Sequence, residues 1–274
     1  MSTVAFSRDM LEARLSDAIE KCQRGHVACL SFLTPRERRA AERYLRFTGA
    51  WEQAWFWGGY GGAERACLFL LPDYLLACFE GEVVPRDDDT AVLSLLGEEA
   101  DTAVRSVLIR GSGYRTLSHR DYLGAILGLG LERDALGDIA VQNDHEAVVF
   151  CPQTIATFLT ETLSQVGADS VRCVVYQPDE HFTDGRHYRP ISDTVASPRL
   201  DCVVAALTNL SRERAQQAVR GGFVEVDFEP EERVDLMLTP PTTVSVRGYG
   251  RFIPRSFDGE TRKGRLRMRA DQLI

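Results

Sequence analysis

No stretch of this chain is apolar for long enough to cross a bilayer. The longest, Cys67 to Phe79, is short and broken by Pro72 and Asp73. The start, Met1-Ser2-Thr3-Val4, lacks a basic region followed by an apolar one, so no secretory signal is expected. Low-complexity runs are missing too, and 44% hydrophobic residues with mixed charge exclude a disordered chain. Paired cysteine spacings are absent: the seven thiols (22, 29, 67, 78, 151, 173, 202) are odd in number and mostly inside apolar runs. That pattern predicts reduced, buried thiols and a cytoplasmic protein, without a disulfide framework. Catalytic signatures are lacking as well. Gly58-Gly59-Tyr60-Gly61-Gly62 has no Lys-Ser/Thr ending and reads as a flexible turn, not a phosphate loop. Cys22, His26 and Cys29 match no common zinc spacing and read as buried thiols beside a surface histidine. His119-Arg120-Asp121 lacks the companion motifs of a kinase and reads as a helix start with a local charge pair. No cofactor and no metal are expected.

Charge is in the sequence, unevenly. Thirty-two Lys and Arg against 40 Asp and Glu give −8, which argues against wholesale capture of nucleic acid. Residues 1–100 carry 11 bases and 16 acids, residues 101–178 carry 6 and 9, and residues 179–196 carry 2 and 4. Residues 197–274 reverse the sign with 13 bases and 11 acids, and within 241–274 the count is 8 to 3. A basic end on an acidic body points to a local contact with a polyanion.

Periodicity divides the chain. Residues 1–97 read as a mixed α/β unit. Met10, Leu11, Leu15, Ala18, Ile19 and Cys22 recur at helical spacing after an N-cap at Ser7. A second helix starts at Thr34-Pro35-Arg36-Glu37, which has the form of a capping box. Trp55-Phe56-Trp57 and Cys67 to Leu70 read as strands, and Arg86-Asp87-Asp88-Asp89 as a solvated loop. Residues 98–178 follow a β-α-β-β-α-β order, the ferredoxin-like pattern, with helices predicted at Arg120–Leu131 and Thr154–Val166. Residues 179–196 are polar, carry Pro190 and Gly185, and read as a linker.

Residues 197–274 read as a compact module. Arg199-Leu200-Asp201 opens a helix, and Ser211 caps a second that ends at Gly221-Gly222. In the run Arg265-Leu266-Arg267-Met268-Arg269, a strand would turn Leu266 and Met268 to the core and set the three arginines in a row. Same-face neighbours about 6.5–7 Å apart match successive phosphates. The second helix also carries Arg212, Arg214, Gln216, Gln217 and Arg220, and only those off its Ala215–Ala218–Val219 face can reach a partner. Gly248-Tyr249-Gly250-Arg251 suits a tight turn presenting an aromatic and a cation to an unpaired base.

Bland readings stand beside these. Ser211 also reads as a plain cap on a helix with solvated arginines, and Arg199 as a partner of Asp201 or Glu213. The Gly248–Arg251 turn also reads as an exposed hairpin tip, and the arginine row as a charged edge strand.

The C-terminal segment resembles the S-four domain, an αL-type RNA-binding fold. The likeness runs through Arg199-Leu200-Asp201, Leu210-Ser211-Arg212, Ala215-Gln216, Gly222 to Val226 and Val244-Ser245-Val246-Arg247-Gly248. Thr239-Pro240-Pro241-Thr242-Thr243 departs from it, where such domains commonly have a Gly-Asp turn. The whole chain resembles the YlmH family through Phe32 to Glu37, Gly58-Gly59-Tyr60 with Ala63-Glu64-Arg65, Leu117 to Ala125, Leu127 to Gly130, Gly137-Asp138-Ile139 and Arg247 to Phe252. The resemblance implies a multidomain α+β protein without enzymatic activity. It implies a monomer that binds RNA of the large ribosomal subunit and tRNA in ribosome-associated quality control, with a link to cell division. RNA contact is then expected at Arg199, Asp201, Ser211, Arg212, Arg214, Gln216, Gln217, Arg220, Arg247, Tyr249, Arg251, Arg265, Arg267 and Arg269. Weaker contact is expected at His119 and Arg120 of the central domain. The terminal arginine row is expected to share one face with Arg199 and the Ser211–Arg214 helix start. Two alternatives stay open: an RNA-modifying enzyme of the pseudouridine-synthase type targeted by the module, and a cell-division scaffold.

Overall fold

The structure, a computed structural model, describes residues 8–86, 88–179, 181–262 and 264–274, so the N-cap expected at Ser7 lies outside the described residues. It divides into two compact units, residues 1–185 and 186–274.

The first unit begins with α1 (Arg8–Gln23), β1 (Ala28–Leu33) and α2 (Pro35–Thr48). Thr34 and Glu37 cap α2 reciprocally: the Glu37 amide donates to the Thr34 hydroxyl at 3.3 Å, and the Thr34 amide to the Glu37 carboxylate at 2.7 Å. There follow β2 (Ala54–Trp57), β3 (Ala66–Leu70), α3 (Asp73–Leu76), α4 (Asp89–Leu96) and α5 (Glu98–Ala103). Of the acidic run expected to be a loop, Asp88 and Asp89 form the start of α4. Asp88 caps it by accepting from the Ala91 amide at 3.0 Å, and Asp89 accepts from the Trp55 indole at 2.9 Å.

The rest is β4 (Arg105–Gly111), α6 (His119–Gly128), β5 (Ile139–Asn143), β6 (Glu146–Cys151), α7 (Gln153–Thr162), β7 (Gln165–Val166) and β8 (Asp169–Tyr176). The sheet order β5-β6-β4-β8-β7, with every neighbour antiparallel, is the split βαβ topology the sequence pattern predicts. Both helices end earlier than their apolar pattern, because Gly130 turns left-handed after α6 and Leu163 is extended after α7.

Alternation explains how the unit is layered. Leu68 and Leu70 of β3 face α1 and α2, while Cys67 and Phe69 face the opposite way, so β3 is buried on both sides. On the five-stranded sheet, Val107, Ile109, Val149 and Cys173 face α6 and α7. The other face, with Ala140, Val148 and Phe150, packs against Trp55, Tyr60 and Phe69. The first 97 residues and the central ferredoxin-like portion therefore share one core. The middle of that sheet face, around Ala140, Val148 and Phe150, is covered here, while Val174 on β8 keeps 40% of its surface exposed.

A polar latch holds the two portions together. Asp138, buried before β5, accepts from the Tyr60 hydroxyl at 2.8 Å and from the amides of Glu64 and Arg65 at 2.7 and 3.2 Å. Arg65 donates onward to the Leu136 carbonyl at 2.7 Å. Gly59 is needed at this seam: φ is +101°, and a Cβ there would lie 2.2 Å from the Phe150 ring. Gly59→Ala is expected to cost about 3 kcal/mol from backbone strain and overpacking. A thermal melt showing less than 1 kcal/mol would contradict this seam.

The second unit contains β9 (Tyr188–Val195), α8 (Leu200–Thr208), α9 (Arg212–Arg220), β10 (Val224–Val226), β11 (Glu229–Pro230), β12 (Val244–Val246), β13 (Gly250–Glu260) and β14 (Leu266–Leu273). Its sheet runs β11-β10-β12-β13-β14-β9. Within the stretch expected to be a linker, Tyr188–Val195 is instead a strand: β9 pairs along all of β14, from Leu266↔Val195 to Leu273↔Tyr188. Its polar residues disguised it, because an edge strand tolerates solvent on both sides of most positions. Two short helices, α8 and α9, pack on one face of this sheet. Their Leu200, Val203, Val204, Ala215 and Val219 meet Val224, Val244, Phe252, Met268 and Ala270 in one core.

Candidate nucleic-acid interface

Asp201 organises the helix side of the second unit. It is fully buried in the first turn of α8, where an unpaired carboxylate would be costly. Arg199 donates to it at 3.1 Å, Arg212 at 3.2 Å and Gln216 at 2.7 Å. Burial alone would raise its pKa. The hydrogen bonds from Arg199, Gln216 and Arg212 outweigh burial and hold the carboxyl well below the usual carboxylate range. The expectation that Asp201 contacts RNA is therefore corrected: with no accessible surface, it cannot touch a ligand. It positions three residues that can.

The surrounding groups fit a phosphate-bearing partner. The Arg199 and Arg212 side chains keep 34% and 57% of their surface exposed while anchored. Ser211 caps α9, its hydroxyl accepting from the Arg214 amide at 3.3 Å, so the positive helix end lies beside Arg212 and Arg214. Arg214, Gln217 and Arg220 are exposed, whereas Ala215 and Val219 are buried, as the helical spacing requires. Beyond α9 lies a residue the sequence reading missed. Phe223 is 47% exposed, and the Arg247 guanidinium sits 5.7 Å from its ring centroid. A half-exposed aromatic under a cation is a stacking platform for a base. The signal was an aromatic directly after Gly221-Gly222, which the strand pattern of Phe223 to Val226 concealed.

The β12–β13 turn adds Tyr249, 43% exposed, between Gly248 and Gly250 with φ of +85° and +112°. Arg251 stands on β13 with its guanidinium 5.0 Å from the Phe228 ring centroid.

The arginine row lies elsewhere. Met268 is buried against the helices and Leu266 half-buried, so Arg267 and Arg269, both exposed, point to the opposite sheet face. Arg265 precedes β14 and is tied to β9, donating to the Thr194 hydroxyl at 3.0 Å. The expectation of one face shared by the row and the Arg199–Ser211 region is thus corrected. The strand period sends the row away from the core on which α8 and α9 sit. Nor does β14 form an edge, since β13 and β9 flank it.

In the first unit, His119 and Arg120 are exposed in the first turn of α6. Asp121 is occupied in capping, accepting from the Ser118 amide at 2.8 Å and hydroxyl at 2.6 Å; these bonds lower its pKa. The seven cysteines are all free, though Cys29 and Cys78 are exposed rather than buried. Among the described residues, no group of three or more His, Cys, Asp or Glu could hold a metal, and no helix is long and apolar enough to cross a membrane.

Comparisons with known proteins join these features to a family. Residues 99–180 match the family described as "Putative RNA-binding domain in YlmH". The chain is 28% identical over 213 residues to the ribosome-associated protein quality control protein P2 of Bacillus subtilis (strain 168), covering 78% of this chain and 75% of that protein. The chain is thus similar to YlmH-type proteins, in its central segment and over most of its length. A solved structure, the cell division protein ylmH from Streptococcus pneumoniae, aligns with a TM-score of 0.47 at 17% identity, over 64% of this chain and 94% of that one. Several stretches that carry the YlmH resemblance have structural jobs. Gly59, Tyr60, Arg65 and Asp138 build the seam of the first unit, and Arg199 with Asp201 anchors the helix face of the second.

Proposed function

We propose that this protein is a member of the YlmH family that acts without catalysis, as a cytoplasmic monomer that binds RNA of the large ribosomal subunit and tRNA. Its role would be in ribosome-associated quality control, with a link to cell division. The helix face of residues 186–274 makes the main contact. The observation that carries this reading is the buried Asp201 holding Arg199, Arg212 and Gln216 in fixed positions beside the exposed Arg214, Gln217 and Arg220. Pre-positioned cations lose little side-chain entropy on meeting phosphates. The family match and the name of the Bacillus relative support the ribosomal assignment. Arg251, Arg267 and Arg269 offer a secondary surface on the other sheet face, and His119 and Arg120 one on the first unit. The synthase reading weakens because Asp201, the carboxylate that could pass for a nucleophile, is buried and engaged by three donors.

Salt dependence tests the cationic face. If about four phosphates are neutralised on loop RNA, log affinity falls with log salt at a slope near −3. In a filter-binding series, Arg214→Ala/Arg220→Ala is expected to flatten that slope by about 1.4, at about 0.7 per lost phosphate contact. Arg267→Ala/Arg269→Ala is expected to flatten it less. A salt-independent affinity would sink the proposal.

A further inference from the structure

The first unit contains an open cavity of about 670 Å³ that the RNA-binding reading leaves unused. Trp57, Tyr60, Phe150, Tyr176 and Phe182 line it. The rings are mutually fixed. Trp57 is stacked on Trp55 with centroids 5.5 Å apart and planes 8° from parallel. Tyr60 and Phe150 lie 4.9 Å apart, and Phe182 meets both edge-on at 71° and 77°. A local turn sets Phe182 in place: the Asp179 carboxylate accepts from the His181 amide at 3.0 Å, and the Asp179 carbonyl from the Phe182 amide at 3.1 Å.

The charged groups around these rings are mostly acidic. Asp101 and Asp179 line the cavity, and Arg105, the base beside them, is paired to Asp101 at 3.2 Å. Residues 87–103, which include α4, α5 and the lining residues Thr90, Leu93 and Asp101, contain six acids and no base. The whole first unit has 17 Lys and Arg against 28 Asp and Glu, net −11, while the second is net +3. Aromatic faces carry negative quadrupoles, so rings and carboxylates together favour a cation. A nucleobase would stack equally well, but it brings a phosphate into an acidic field. An arginine brings only the complementary charge, and its planar guanidinium can lie on a ring while donating to a carboxylate.

We propose that this cavity is a docking site for a basic segment of a protein partner, with an arginine side chain inserted among the rings beside Asp101 and Asp179. Its lining residues are not among those assigned to RNA, so one chain would hold RNA by its basic unit and a cationic protein segment by its acidic one.

The test titrates the full chain with a 12-residue alternating Arg-Gly peptide, its Glu-Gly counterpart and a 12-nucleotide oligouridine, read by tryptophan fluorescence and calorimetry. The Arg-Gly peptide is expected to bind and the Glu-Gly peptide not. Phe182→Ala and Asp101→Asn/Asp179→Asn should each weaken binding about tenfold. The remote pair Asp9→Asn/Glu161→Gln should change it less than about twofold. The asparagine pair keeps side-chain shape, so it decides the matter even if Phe182→Ala disturbs folding. Equal weakening by the remote pair would mean a diffuse acidic surface and overturn the proposal. So would no binding, or oligouridine binding that the asparagine pair strengthens.

Discussion

Replacing Arg199 and Arg212 together by alanine is expected to destabilise the second unit by about 3–5 kcal/mol at neutral pH, the usual result of leaving a buried charge without its partners. Asp201 would keep only the Gln216 amide and the Cys202 N–H, at 2.7 and 3.0 Å. The pH dependence identifies the cause. In the wild type the folded-state pKa is depressed, so this carboxylate contributes stability above its unfolded pKa of about 4. That contribution is lost as pH falls through the folded value. In the double variant, burial is largely unopposed and raises the folded pKa above about 4. Protonation then relieves the cost as pH falls. The gap between variant and wild type should be widest near pH 7, start to shrink above about pH 4 as the variant's carboxyl takes up its proton, and shrink further below it as the wild type loses its own contribution. Urea melts at a series of pH values check this, and a gap constant with pH would mean that Asp201 is not the hub. The result also guides functional work: loss of RNA binding in this variant cannot be read as loss of contact alone, which is why Arg214 and Arg220 are the better probes.

The second large effect is expected at Asp138→Ala, which leaves the Tyr60 hydroxyl and the amides of Glu64 and Arg65 without their acceptor. Buried donors stripped of partners cost about 1–3 kcal/mol each, so about 3–5 kcal/mol is expected once the site relaxes. Asp138→Asn keeps one acceptor oxygen and should cost less. The loss should appear as faster amide exchange at the seam of the first unit, around Tyr60 to Leu70 and Gly137 to Phe150. Amides of α8 and α9 should be unaffected. Exchange accelerated equally throughout the chain would contradict the division into two units.

Elements whose signals are local were legible in the sequence. The capping box at Thr34 and Glu37, the Ser211 cap and the split βαβ strand order all rest on residue type at fixed spacing. The strand β9 was not legible, because its residues Tyr188–Val195 acquire strand character only by pairing with β14, more than 70 residues away. The shared core of residues 1–185 was hidden for a similar reason: Phe150 reads as an ordinary core residue, and nothing local says that Tyr60 covers it. At the candidate site, residue identities were visible but their roles were not. Asp201 looked like a member of the contact set, and only its zero exposure and three donors reveal a positioning residue. The arginine row was found by its period of two. That same period, once Met268 is seen in the helix-side core, sends Arg267 and Arg269 to the opposite face.

The most direct measurement of the central claim is crosslinking in living cells followed by sequencing of the bound RNA, comparing the wild type with Arg214→Ala/Arg220→Ala. Both residues are exposed on α9, so the pair should leave folding intact. The account predicts enrichment of large-subunit ribosomal RNA and tRNA in the wild type, reduced at least about tenfold in the pair, as expected for two lost phosphate contacts. A wild-type profile without ribosomal enrichment, or one the pair leaves unchanged, would contradict it.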